Sequence, residues 1–180
     1  MARSARWLFA AALLGVAAVR AAPPPPEYQL KAIFLFNFAQ FVGWPAAALS
    51  NDQLPFVIGV LGDDPFGSYL DETVQGEKIG GHPMVVRRYS RVEDAAGCHV
   101  LFISRSESGR MAEIVAALRG RNILTVGDVE DFNQVGGMVR FVTEQGRIRL
   151  RIDVQAAQAA GLTISSKLLR SATIVNPERQ

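Results

Sequence analysis

The run LPFVIGVLGDDP, Leu54–Pro65, decides the fold. From Phe56 to Leu61 it is apolar without interruption, and it stops at Gly-Asp-Asp-Pro. A continuous apolar run, rather than an alternating one, marks a strand buried on both faces, as in a parallel sheet covered by helices. Pro65 suits the first turn of a following helix, placed here at 65–73. CHVLFIS (Cys98–Ser104) has the same character. MVVRRYS (Met84–Ser90) and NILTVGD (Asn122–Asp128) supply two more strands. Before the last of these, SESGRMAEIVAALRG carries Met111, Ile114, Val115 and Leu118 on one helical face and stops at Gly120. Strand and helix alternate, which predicts an α/β sheet.

After Gly136 the period changes. GGMVRFVTEQGRIRLRIDV holds two alternating runs around Glu-Gln-Gly, the pattern of a β-hairpin. Val139, Phe141, Ile148, Leu150 and Ile152 are expected to face the core, and Arg140, Arg147, Arg149 and Arg151 to face out. The tail AAQAAGLTISSKLLRSATIV reads as helix, broken near Gly161, with Thr163 or Ser165 capping its last part. The expected fold class is α/β: a mixed, largely parallel sheet flanked by helices, ending in an antiparallel β-hairpin and a helix.

The chain opens differently. YQLKAIFLFNFAQFVGWP (Tyr28–Pro45) has four phenylalanines and a tryptophan in eighteen residues. A helix is expected from Tyr28 until Pro45 stops it. Leu30, Phe34, Phe38 and Phe41 make the predicted core stripe, with Ala32 and Ala39 opposite. Phe36 falls outside that stripe. It and Trp44 are expected either to be buried under the C-terminal segment or to be offered to another chain, since aromatics are enriched in interface cores.

The first 21 residues read as a secretory leader: basic MARSAR, an apolar run of thirteen, then Arg-Ala-Ala with cleavage after Ala21. Residues 22–27 are a proline-rich spacer, and 28–180 form one domain of ordinary size. The leader carries Arg3, Arg6 and Arg20 and no acid. Its loss takes Lys plus Arg from 19 to 16 against 17 acids, so the mature chain is near neutral. No basic surplus points to nucleic acid. Cys98 is the lone cysteine, so no internal disulfide forms, and its place at the start of an apolar run predicts burial.

No nucleophile elbow, zinc-helix or phosphate-loop motif is present, and His82 and His99 lack metal-ligand spacing with Cys98. The expectation is a protein that is not an enzyme and carries no cofactor or metal. Asp63 and Asp64 follow a buried strand, where open α/β sheets bind ligands. The plainer reading is that one of them caps the next helix. Gly136 and Gly137 either permit an unusual turn or admit a ligand close to the backbone. In the ligand reading these four line a single pocket at the carboxyl ends of the strands. The outward arginines, including Arg140, Arg149 and Arg151, fit a solvated strand or a surface for an acidic partner equally well.

YQLKAIFLFNFAQFVGWP, VIGVLGDDPFG, CHVLFIS, ILTVGDVEDFNQVGGMVRFV and RIRLRIDVQAAQAAGLTISSKLL, in that order and spacing, resemble the YfiR family from about Tyr28 to Val175. The resemblance implies a periplasmic, non-catalytic regulator that represses a membrane diguanylate cyclase by binding its periplasmic sensor domain. It also implies an outer-membrane lipoprotein that sequesters the repressor, an effect on biofilm through cyclic-di-GMP, and a homodimer. It implies a disulfide-linked cysteine at the position of Cys98. With no second cysteine, redox control through such a bridge has no basis here. A small-ligand sensor and an envelope scaffold are the alternative readings.

Overall fold

The structure, a computed structural model, describes residues 26–51 and 54–175. The expected leader and most of the expected spacer lie outside the described residues. The exceptions are Pro26 and Glu27, which belong to the first helix rather than to a spacer: α1 runs Pro26–Phe41. Proline is well suited to a first helical turn because its missing N–H has no partner to lose there.

Five strands, β2 (Phe56–Leu61), β4 (His82–Tyr89), β5 (Val100–Ile103), β6 (Leu124–Gly127) and β7 (Val139–Glu144), are mutually parallel. They lie side by side as β4-β2-β5-β6-β7. Counted by chain order this is 2-1-3-4-5, a doubly wound arrangement. β8 (Arg147–Asp153) adds antiparallel to β7, and β10 (Ala172–Val175) adds parallel to β8 as an edge. On the far edge, β3 (Lys78–Ile79) pairs antiparallel with β4. The expected fold class holds.

Every residue of β2, β5 and β6 is buried, as continuous apolar runs require. Alternate side chains divide between two layers. Phe56, Ile58, Val60, Phe102, Val126 and Phe141 face α1, α2 (Ser68–Val74), α4 (Val154–Ala159) and α5 (Ser166–Leu169). Val57, Leu61, Leu101 and Ile103 face α3 (Met111–Ala117), where Met111, Ile114 and Val115 meet them with Leu118 just beyond. The hairpin turns at Gln145-Gly146, both with positive φ, and pairs Val139 with Ile152 and Phe141 with Leu150. All four are buried, while Ile148 is only half-buried.

Three expectations are corrected. The buried face of α1 is Lys31, Ala32, Leu35, Phe38 and Ala39, while Leu30 is 49% and Ile33 40% exposed. The small alanines let the helix approach the sheet closely, and a helix apolar nearly all round gives no periodic cue to its inner face. Its end also comes before Pro45. Val42–Gly43 form β1, which pairs with β9 (Thr163–Ile164). The tail is not one broken helix. Asp153 caps α4 and Ser165 caps α5, each side chain accepting from the N–H three residues on. Ala172–Val175, three of them β-branched, then becomes the edge strand β10.

Candidate functional site

α1 and the end of β6 meet at a buried cluster of charges. Asp128 follows directly after β6, and Lys31 sits at mid-helix on the inner face of α1. Lys31 Nζ lies 2.6 Å from Asp128 Oδ2, with both side chains 1% exposed. The same ammonium lies 2.6 Å from Glu27 Oε1, one helical turn earlier, and 4.3 Å from the centroid of the Tyr28 ring. Tyr28 donates its hydroxyl to Asp128 Oδ2 at 2.9 Å. From the other side Arg105, just beyond β5, donates Nε to Asp128 Oδ1 at 3.0 Å and a terminal nitrogen to its carbonyl at 3.3 Å. Thr143 of β7 donates to Glu27 at 3.0 Å. Two acids, two cations and a phenol therefore satisfy one another, as buried ionic groups must.

Burial alone would raise the Asp128 carboxyl, but the hydrogen bond and charge of Lys31, with help from Tyr28 and Arg105, hold it below the usual carboxylate range. Burial, then the charge of Asp128, pushes the Tyr28 phenol up to about 12. Glu27 is lowered, first by its hydrogen bond to Lys31. Asp128 is thus a fixed anion holding two cations. The cluster fastens α1 to the carboxyl ends of β5 and β6.

A polar cleft of about 450 Å³ opens beside it, lined by Glu27, Arg105, Asp128, Glu130, Arg140 and Thr143 among others. Arg140 is half-buried, and its Nε is buried with no hydrogen-bond partner among the described residues. Directly across the hairpin stands Arg151, whose own contact is Glu144 at 3.6 Å. Arg149 is exposed opposite Val142. Arg140, Arg149 and Arg151 therefore share one face of the hairpin, with Arg140 turned into the cleft.

The four residues assigned to one ligand pocket are not brought together. Asp63 and Asp64 follow the carboxyl end of β2. Gly136 and Gly137 precede β7 and so lie at the amino end of the sheet, because β7 runs parallel to β6 with Val139 beside Val126. Asp64 accepts the N–H of Phe66 at 2.7 Å and pairs with Arg88 at 2.9 Å. It shapes a turn there, since α2 begins only at Ser68. The crevice between β2 and β5 is filled: the N–H of Asp63 donates to Ser106 Oγ, and a Cβ on Gly62 would meet that oxygen at 2.4 Å. Gly137 is fixed by packing, for a Cβ there would meet the Phe132 ring at 2.3 Å.

Phe36 is half-buried against the core. Trp44 stands edge-on to Phe56, centroids 5.0 Å apart. The most exposed large apolar side chains of α1 are instead Leu30 and Ile33. At the amino ends of the strands, His99 stacks on Phe56 at 4.4 Å and Cys98 is buried, as expected, beside a cavity of about 370 Å³.

Sequence reasoning missed Lys31, Asp128, Tyr28, Glu27 and Arg105. One signal was there to read: a lysine inside so apolar a helix needs a buried anion.

The family model for YfiR/HmsC-like proteins matches residues 28–173. The chain belongs to the YfiR/HmsC-like family. This family is one of periplasmic, non-catalytic regulators of diguanylate cyclase signalling. No helix among the described residues is long and apolar enough to cross a membrane. A comparison with curated proteins finds no match. Among solved structures, the ABC domain in complex with L-Trp from Streptococcus pneumonia is similar at 13% identity and a TM-score of 0.48. The likeness covers 67% of this chain and about half, 55%, of that one, and carries no functional argument.

Proposed function

We propose that this YfiR/HmsC-like chain is a non-catalytic periplasmic repressor. It binds the periplasmic sensor domain of an inner-membrane diguanylate cyclase and lowers cyclic-di-GMP. The observation that carries the reading is the family match over residues 28–173, nearly the whole of the described domain. Repression works as a population shift: binding the sensor domain in its inactive form draws the cyclase toward that form. Moving it from mostly active to mostly inactive takes about 5.5 kcal/mol of differential affinity.

For the contact surface we propose the hairpin face of Arg140, Arg149 and Arg151, with Phe36 and Trp44, on the α1 side of the sheet, as a second, aromatic contact. Arginines on a rigid sheet form forked, charge-assisted hydrogen bonds to carboxylates at small entropic cost, which suits an acidic patch on the partner. Sequestration by an outer-membrane lipoprotein and assembly as a homodimer belong to the same proposal.

The test is co-purification. A tagged chain, expressed in its own host, is recovered from solubilised membranes and the co-purifying proteins are identified. A diguanylate cyclase held by the wild type and lost by R149E/R151E supports the proposal. Recovery of no cyclase by the wild type overturns it.

A further inference from the structure

We propose that the cleft between Arg105 and Arg140 is a binding site for a small oxyanion, a carboxylate or a phosphate. The site shares Arg140 with the proposed partner surface but concerns a different ligand, a small anion held by the chain itself.

Arg140 carries the argument. Its Nε is buried and donates to nothing among the described residues. Its direct cross-strand neighbour is another arginine, Arg151. Like charges facing each other across a strand pair are unfavourable. Burial, followed by the charge of Arg151, pushes Arg140 below the ordinary arginine range despite Glu130, Asp131 and Glu144 nearby. A partly desolvated guanidinium with an unused donor is a place prepared for an external acceptor.

Arg105 supplies the second jaw. Asp128 holds its Nε and one terminal nitrogen, so the guanidinium is pinned while 62% of its side chain remains exposed. Two further acids of the lining are occupied elsewhere: Glu27 by Lys31 and Thr143, Asp128 by Lys31, Tyr28 and Arg105. Glu130 is the exposed acid that remains to compete. The cleft, about 450 Å³, is in the range of small-molecule sites and opens at the carboxyl ends of parallel strands. Two guanidinium forks around a small space match the planar oxygens of a carboxylate or the tetrahedral ones of a phosphate.

The test is thermal unfolding and calorimetric titration of the purified full-length mature chain with inorganic phosphate and, separately, succinate, against sodium chloride at equal ionic strength. The wild type is expected to show a saturable rise in Tm with at least one of the two. A rise with phosphate alone assigns the phosphate class; with succinate alone, the carboxylate class; with both, an unselective oxyanion site. R140Q is expected to lose the response while its unliganded Tm stays at or above that of wild type. R140K keeps a cation without the fork; it is expected to bind at least tenfold more weakly and serves if R140Q does not fold. R149Q, whose arginine lies outside the cleft, keeps the full response. No saturable rise with either anion beyond chloride, or an equal rise in wild type and the Arg140 variants, overturns the proposal. Cyclase binding is read separately, by co-purification with R149E/R151E, which leaves Arg140 in place.

Discussion

Lys31 Nζ and Asp128 Oδ2 lie 2.6 Å apart, both buried, joining the first helix to the end of the fourth parallel strand. Removing Asp128 leaves the buried Lys31 ammonium with only the partly exposed Glu27 as counter-charge, at a cost of up to about 3–5 kcal/mol. Asp128→Ala is expected to destabilise by that order in urea unfolding. Lys31→Met with Asp128→Leu is expected to cost clearly less than the two single losses together, because neither charge is left behind. The pair also has an acid signature. The Asp128 carboxyl is lowered in the fold, so the unfolded chain takes up its proton first. The stability it contributes is complete above about pH 4 and is lost as pH falls through the folded pKa. A wild-type stability that does not decline more steeply below pH 4 than that of Asp128→Asn would contradict this.

His99 sets a second pH dependence at the opposite end of the sheet. Its Nδ1 accepts the N–H of Val57 at 3.1 Å, so the ring proton sits on Nε2, which faces the carbonyl of Ala48 at 3.2 Å. Burial lowers its pKa, with His82 adding repulsion and Ala48 opposing. Protonation would also turn Nδ1 into a donor against a donor. The stabilising contribution is therefore present above about pH 6.5 and declines as pH falls through the folded value. Imidazole nitrogen NMR is expected to show the Nε2–H tautomer and a midpoint below 6.5. A midpoint at or above 6.5 sinks the assignment.

Gly137 and Phe132 test the packing beneath the hairpin. A methyl group at Gly137 would meet the ring at 2.3 Å, whereas one at Gly97 would meet nothing within 4 Å. Gly137→Ala is expected to lose about 1–3 kcal/mol, the range for overpacking. Gly97→Ala is expected to change stability by a few tenths at most. Equal behaviour of the two in urea melts would show that the ring moves aside.

Cys98 is buried, and burial pushes its thiol up to about 11. Only the thiolate reacts readily, so the native protein is expected to resist thiol reagents at pH 8 and to react fully once unfolded. Fast native labelling would mean that the strand start opens.

The strands were legible in the sequence because burial on two faces writes itself as an unbroken apolar run, as in Phe56–Leu61 and Val100–Ile103. The hairpin was legible because one polar face imposes alternation, from Val139 to Ile152. α1 was not, since Leu30 and Ala32 look equally suited to the core and only contact with the sheet decides between them. Nor was β10, four residues that draw their strand character from β8 rather than from a local pattern. The charge cluster joins groups 97 residues apart, which no local spacing encodes. Gly136 and Asp63 both sit beside strands, but only the parallel direction of β6 and β7 shows that they lie at opposite ends of the sheet.

The most direct measurement is cyclic-di-GMP in cells with and without this gene, with wild type and R149E/R151E restored in turn. Repression predicts a rise on deletion, reversal by wild type, and failure of the folded double variant to reverse it. A level unchanged by deletion, in cells where the chain is shown to be made, would contradict the account.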